Sequence, residues 1–149
     1  MKTVSLEKRT LPHRLGIGGW AYGGRYGLER YLFILHRIAG LSILLYFILH
    51  IFITGQKING KQAWDAVMGS VGGTWFYIGE YLLFVAVAFH AMNGIRLILS
   101  EFGWILGKPK RPIYPYQSAN MRIRVFTWIM MILAVIIMAV GGFDFFLMH

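Results

Sequence analysis

Three long apolar stretches constrain this chain more than any other feature of its sequence. They run from about residue 31 to 54, 75 to 99 and 125 to 140. A helix needs about 20 residues to cross a hydrocarbon core of ~30 Å, and a chain in that core must satisfy its backbone polar groups internally. We therefore predict an all-α fold with three transmembrane helices, the third of them short.

The basic residues indicate a membrane topology rather than a nucleic-acid-binding surface. The formal net charge is +9, and 57% of the 149 residues are hydrophobic. Seven Lys/Arg lie in residues 1–37 and six in residues 96–124, against two in the loop of residues 55–74 and none in the C-terminal tail. The positive-inside rule then predicts a multi-pass protein of the inner (cytoplasmic) membrane, with a cytoplasmic N-terminus and an external C-terminus.

The same pattern divides the chain into two parts. Residues 1–30 form a basic, glycine-rich cytoplasmic N-terminal arm, and residues 31–149 form the transmembrane anchor domain. Within the external loop, residues 62–68 are expected to form a short interfacial helix. The absence of cysteine excludes disulfides and iron–sulfur clusters bound by this chain.

Two histidines lie well inside apolar stretches, where ionisable residues are candidates for function. For His50 and His90 we weigh a hydrogen bond to a neighbouring helix against axial ligation of haem. His50 lies 13 residues beyond Arg37 and His90 six residues before Arg96, so their depths differ by roughly 10 Å. Axial nitrogens on one iron are only about 4 Å apart. If both histidines are ligands, they serve two haems, and another chain supplies the other ligands.

Charged residues also mark the ends of the spans. For His36, Arg37 and Arg96 we weigh anchoring at the interface against a haem-propionate or quinone site, because arginine pairs with carboxylates and histidine exchanges protons near neutral pH. Glu80 admits either an interfacial carboxylate or a proton-path residue.

Two motifs carry a family resemblance. The run ILHRIAG at Ile34–Gly40 and the run HAMNGIRLILSEFG at His90–Gly103 resemble the two signatures of the cytochrome b556 membrane anchor subunit of succinate dehydrogenase (succinate:quinone oxidoreductase, complex II). The resemblance covers nearly the whole chain. It implies a haem b-binding helix bundle, electron transfer to quinone, a flavoprotein, an iron–sulfur subunit and a second small membrane anchor as partners.

The resemblance also assigns residues. His90 matches the haem b axial ligand, His36 and Arg37 match residues near the propionates and the quinone, and Arg96 matches the arginine of the second motif. Phe33 replaces the serine that contacts quinone, which leaves the type of quinone open. Di-haem relatives place one ligand deep in the first helix, where His50 lies, so two haems are favoured over one.

Two other functions remain open from the sequence. The chain can be the anchor of another membrane cytochrome b, of the hydrogenase or formate dehydrogenase type. It can also be a haem-free scaffold or small transporter that uses His50, His90 and Glu80 for protons or helix contacts.

Overall fold

The structure is a computed structural model that describes residues 27–107 and 122–148. Apart from its last four residues, the predicted N-terminal arm lies outside the described residues. Every regular element in the described part is helical, which confirms the all-α prediction. The elements are α1 (Leu28–Gly55), a 3₁₀ turn (Gln56–Asn59), α2 (Lys61–Ser70), α3 (Thr74–Glu101) and α4 (Arg124–Leu147).

Three helices in the described residues are long and apolar enough to cross a membrane: α1 with its 3₁₀ turn, α3 and α4. They confirm the three predicted transmembrane helices. The short helix predicted at residues 62–68 is present as α2. Gly60 and Gly73, at φ of 91° and 131°, precede α2 and α3, and such φ values are open to glycine but disfavoured for other residues.

The prediction for the third span was wrong in its length. We expected it to end near residue 140, whereas α4 continues to Leu147. Gly141 and Gly142 lie inside the helix, and there they face aromatic side chains of α3. They are packing residues here, as small residues between transmembrane helices commonly are.

The chain divides into two compact units between Ile34 and Leu35. Of the first unit the structure describes residues 27–34, which include the start of α1. The second unit contains the rest of α1 and all later elements, and the packing described below lies within it.

Helices α3 and α4 pack closely through the two glycines. The Tyr81 hydroxyl donates a hydrogen bond of 3.1 Å to the backbone carbonyl of Met138. A Cβ added at Gly142 would lie 2.6 Å from the Tyr81 oxygen, and one at Gly141 would overlap the Phe84 ring. The same ends of the two helices carry stacked and edge-on aromatic rings, namely Tyr77, Tyr81, Phe145 and Phe146.

Most large apolar side chains of α1 in the second unit remain exposed. Leu41, Leu45 and Phe52 are 59%, 53% and 68% exposed, respectively. An apolar surface of this kind suits a helix that contacts lipid or other membrane helices.

We predict that Gly142→Ala destabilises the packing of α3 on α4. The new methyl group displaces the Tyr81 ring and breaks its bond to Met138, so the cost is about 1–3 kcal/mol. Thermal unfolding in detergent measures it. Gly79→Ala is the matched control, because an added Cβ there meets nothing within 4 Å. Equal unfolding temperatures for the two variants would contradict this account of the packing.

Candidate functional site

His36 of α1 and His90 of α3 lie face to face. Their ring centroids are 3.9 Å apart, and the planes are inclined by 8°. Nδ1 of His90 lies 3.1 Å from the backbone carbonyl oxygen of His36. A carbonyl oxygen only accepts hydrogen bonds, so Nδ1 of His90 carries the proton and donates it. Nε2 of the neutral ring then keeps its lone pair, which is the form that binds a metal.

Gly40 allows His90 to reach the backbone of α1. A Cβ added at Gly40 would lie 2.8 Å from Cε1 of His90 and 3.3 Å from its Nδ1. Any larger residue would therefore displace the ring from its hydrogen bond. Gly94 lies below the other ring, where an added Cβ would come within 3.7 Å of Cε1 of His36, an ordinary contact distance.

A buried arginine joins α3 to α4 beside these rings. Arg96 is only 3% exposed. Its Nε donates a hydrogen bond of 2.9 Å to Oδ1 of Asn93, and its Nη1 lies 3.5 Å from the hydroxyl of Thr127. A buried cation is costly unless it is hydrogen-bonded, and these contacts offset part of that cost. The guanidinium also interacts electrostatically with His36.

Two buried polar atoms of this region have no hydrogen-bond partner among the described residues. They are Nδ2 of Asn93 and Nδ1 of His36. Leaving such an atom unsatisfied costs about 1–3 kcal/mol. The site therefore holds hydrogen-bonding capacity that its own residues do not use.

His50 lies in different surroundings. Nδ1 of His50 and the Tyr46 hydroxyl are 3.4 Å apart, one turn along α1. Both residues line a cavity of about 500 Å³. Its wall is mostly apolar and includes Glu80. The complete lining is Tyr46, Leu49, His50, Ile53, Thr54, Trp64, Met68, Val71, Trp75, Phe76, Gly79 and Glu80. Neither His36 nor His90 is part of it.

The remaining candidate, Arg37, has an exposed side chain. Within residues 27–107 and 122–148, no group of three or more His, Cys, Asp or Glu residues could hold a metal ion. A haem iron is held by its porphyrin and needs only an axial ligand from a helix.

Sequence reasoning placed His36, His90 and Arg96 near one another only through the resemblance, and it missed Thr127 altogether. The spacing of Asn93 and Arg96, three residues apart on one helix, was the available signal for their contact. Nothing in the sequence pairs α3 with Thr127, because that contact depends on how two distant helices pack.

A sequence model of the succinate dehydrogenase/fumarate reductase transmembrane subunit family matches residues 7–126. That range covers well over half of the chain and contains both motifs. The chain belongs to this family. The family resemblance predicted from the two motifs is thus confirmed. With its three spanning helices, this transmembrane subunit is a multi-pass membrane protein.

One curated protein is similar in sequence to part of this chain. The transmembrane subunit is 35% identical over 69 residues to the succinate dehydrogenase 2 membrane subunit SdhC of Mycobacterium tuberculosis. The aligned part is 46% of this chain and 51% of the relative, so it spans about half of the relative's length. No solved structure matches the chain.

Proposed function

We propose that this subunit binds haem b through Nε2 of His90 and anchors a succinate:quinone oxidoreductase in the membrane. The observation that carries the proposal is the hydrogen bond from Nδ1 of His90 to the carbonyl oxygen of His36. Histidines that bind metals almost always donate their other ring N–H to a carbonyl or carboxylate, which fixes tautomer and orientation. Here that bond is present, and Gly40 leaves room for it.

The surrounding residues fit the same group. Arg96 offers a cation for carboxylates such as the haem propionates, and His36 lies against the ligand ring. When bound, haem b supplies a one-electron redox centre whose potential depends on its axial ligands and neighbouring charges. His90 would fix its position, while the buried Arg96 would stabilise the negative charge of the propionates.

Quinone reduction is assigned to the same end of the helices. His36, Arg37 and Arg96 supply hydrogen-bond donors for a quinone carbonyl, and His36 can exchange a proton. Electrons would arrive from an iron–sulfur subunit, which in turn receives them from a flavoprotein that binds the dicarboxylate. This chain would contact the membrane quinone but not the dicarboxylate.

The partners and topology complete the proposal. The exposed apolar side of α1 suits a second small membrane anchor, which would also supply the other axial ligand. Residues 1–30 would form a cytoplasmic arm that meets the soluble subunits, and residues 31–149 the anchor domain. Family membership speaks against a hydrogenase-type anchor. A haem-free scaffold would use the bond between His90 and His36 only as a contact between α1 and α3, so the haem content of the complex decides between the two functions.

We predict that Gly40→Ala lowers the haem b content of the purified complex. The methyl group pushes His90 away from the carbonyl of His36, and losing such a partner costs a metal-bound histidine about 10–100-fold in affinity. The pyridine haemochrome spectrum gives haem b per complex. Gly55→Ala, in the same helix with nothing within 4 Å of an added Cβ, is the control. Full haem content in Gly40→Ala would refute the role assigned to this contact.

His50 is proposed as the axial ligand of a second haem. Its cavity is mostly apolar, and in the tautomer in which Nδ1 donates to the Tyr46 oxygen, Nε2 is available for iron. Glu80 lines the same cavity, where a carboxylate can take part in proton transfer. Because the surroundings of His50 and His90 share no residue, the two ligands would serve separate haems.

We expect two haems b per wild-type complex and one in His50→Leu. Leucine keeps an apolar side chain in the cavity but cannot bind iron, and the haem at His90 should be retained. The haemochrome spectrum again gives the count, and His90→Leu should lose the other haem. If the wild-type complex contains one haem and His50→Leu retains it, His50 only lines the cavity and does not bind iron.

The topology has a direct test, because the chain contains no cysteine. Ser70→Cys places a thiol at the end of α2, and Arg122→Cys places one just before α4; both positions are exposed. A membrane-impermeant maleimide should label Ser70→Cys on intact spheroplasts and Arg122→Cys only after permeabilisation. The reverse pattern would place the N-terminus outside.

A further inference from the structure

We propose that Asn93 is a ligand-binding residue of the site beside His90. Its Oδ1 orients Arg96, and its Nδ2 donates a hydrogen bond to an acceptor oxygen of the bound molecule, either a carboxylate or a carbonyl oxygen. The inference rests on the proposed function, because it assumes that a haem or a quinone occupies this region.

The orientation of the Asn93 amide follows from its neighbour. Arginine has only hydrogen-bond donors, so the atom 2.9 Å from Nε of Arg96 must be the carbonyl oxygen of Asn93. The amide nitrogen consequently points away from the guanidinium. Its two hydrogens are presented elsewhere in the buried region and have no acceptor among the described residues.

Burial makes this free donor significant. Asn93 is completely inaccessible to solvent, in a helix that crosses the membrane, where no bulk water can satisfy the amide. Buried polar side chains in proteins are overwhelmingly hydrogen-bonded. The missing acceptor is therefore expected to belong to something that occupies the site in the assembled protein.

The neighbouring groups indicate what kind of acceptor it is. Arg96 contributes a positive charge next to Asn93, and the second unsatisfied atom, Nδ1 of His36, lies in the ring that covers the adjacent Gly94. A cation and two unused imidazole and amide nitrogens together favour an oxygen that carries negative or partial negative charge. A haem propionate and a quinone carbonyl both provide one.

Asn93→Asp separates this role from a purely structural one. Aspartate has nearly the same shape and still accepts the bond from Arg96, but it has no N–H to donate. If Asn93 only holds Arg96, the variant should keep the wild-type haem b content and quinone KM, and only the haem potential should fall, because the new carboxylate offsets the charge of Arg96. If Nδ2 binds a ligand oxygen, the variant loses that bond and adds repulsion, so the affected affinity should fall about ten- to a hundredfold.

The readouts distinguish the two sources of the oxygen. A propionate partner predicts a lower haem b content of the intact complex, whereas the added carboxylate by itself lowers only the haem midpoint potential. A quinone partner predicts a higher KM for quinone with an unchanged haem content. Ser100→Ala is the control, since its buried hydroxyl donates its hydrogen bond to the backbone carbonyl of Arg96 rather than to a side chain.

A second variant keeps the test decisive if Asn93→Asp fails to assemble into the complex. Asn93→Ser is smaller and uncharged, and its hydroxyl is too short to replace Nδ2, so it should change the same readout in the same direction. Wild-type haem content and quinone KM in both variants would overturn the inference and assign the amide to a buried water. A wild-type complex without haem would refute haem binding instead, and the quinone KM would then decide the role of Asn93.

Discussion

The bond between Nδ1 of His90 and the backbone of His36 is the interaction on which the site depends. It exists only because residue 40 has no side chain: a Cβ there would lie 2.8 Å from the ring. The same bond selects one tautomer and one ring orientation, and so leaves Nε2 as the nitrogen that could bind the proposed haem iron. The backbone of α1 thereby holds the proposed haem ligand on α3, while most of the apolar surface of α1 is left for lipid or a partner.

The absence of water in the bilayer core explains why a few polar residues are enough to hold these helices together. Without water in the hydrocarbon core, each buried donor or acceptor needs a partner within the protein or its ligand. Arg96 meets this requirement through Asn93 and Thr127, and in doing so it ties α3 to α4. At the other end of the same helix pair, Gly141 and Gly142 bring the backbones close enough for Tyr81 to reach Met138. The helices are thus joined by polar contacts at one end and by small residues with aromatic rings at the other.

The sequence predicted the features that depend on composition along one helix. Three spans, the interfacial helix and the family all followed from apolar runs and two motifs. The end of α4 was missed, because the predicted span stopped with the apolar run near residue 140, whereas Gly141 and Gly142 lie inside the helix and pack against α3. The stacking of His36 on His90 and the contact with Thr127 also depend on packing between helices that are far apart in sequence, which single-helix periodicity does not encode. Asn93 was visible as a polar interruption, but its free amide nitrogen required the position of Arg96.

The separation of the two histidine environments has a consequence for mechanism. His90 is held by another helix next to a buried cation, whereas His50 is held only loosely by Tyr46 on its own helix and faces an apolar cavity with Glu80. A positive charge favours the reduced form of a nearby redox group, and an apolar cavity with a carboxylate lacks that contribution. Groups bound at the two positions would therefore differ in potential, with the higher potential at His90. Electrons entering beside His90 would then reach His50 only against that difference, so transfer through the second position would need the membrane potential, or an acceptor of higher potential beyond His50, to drive it.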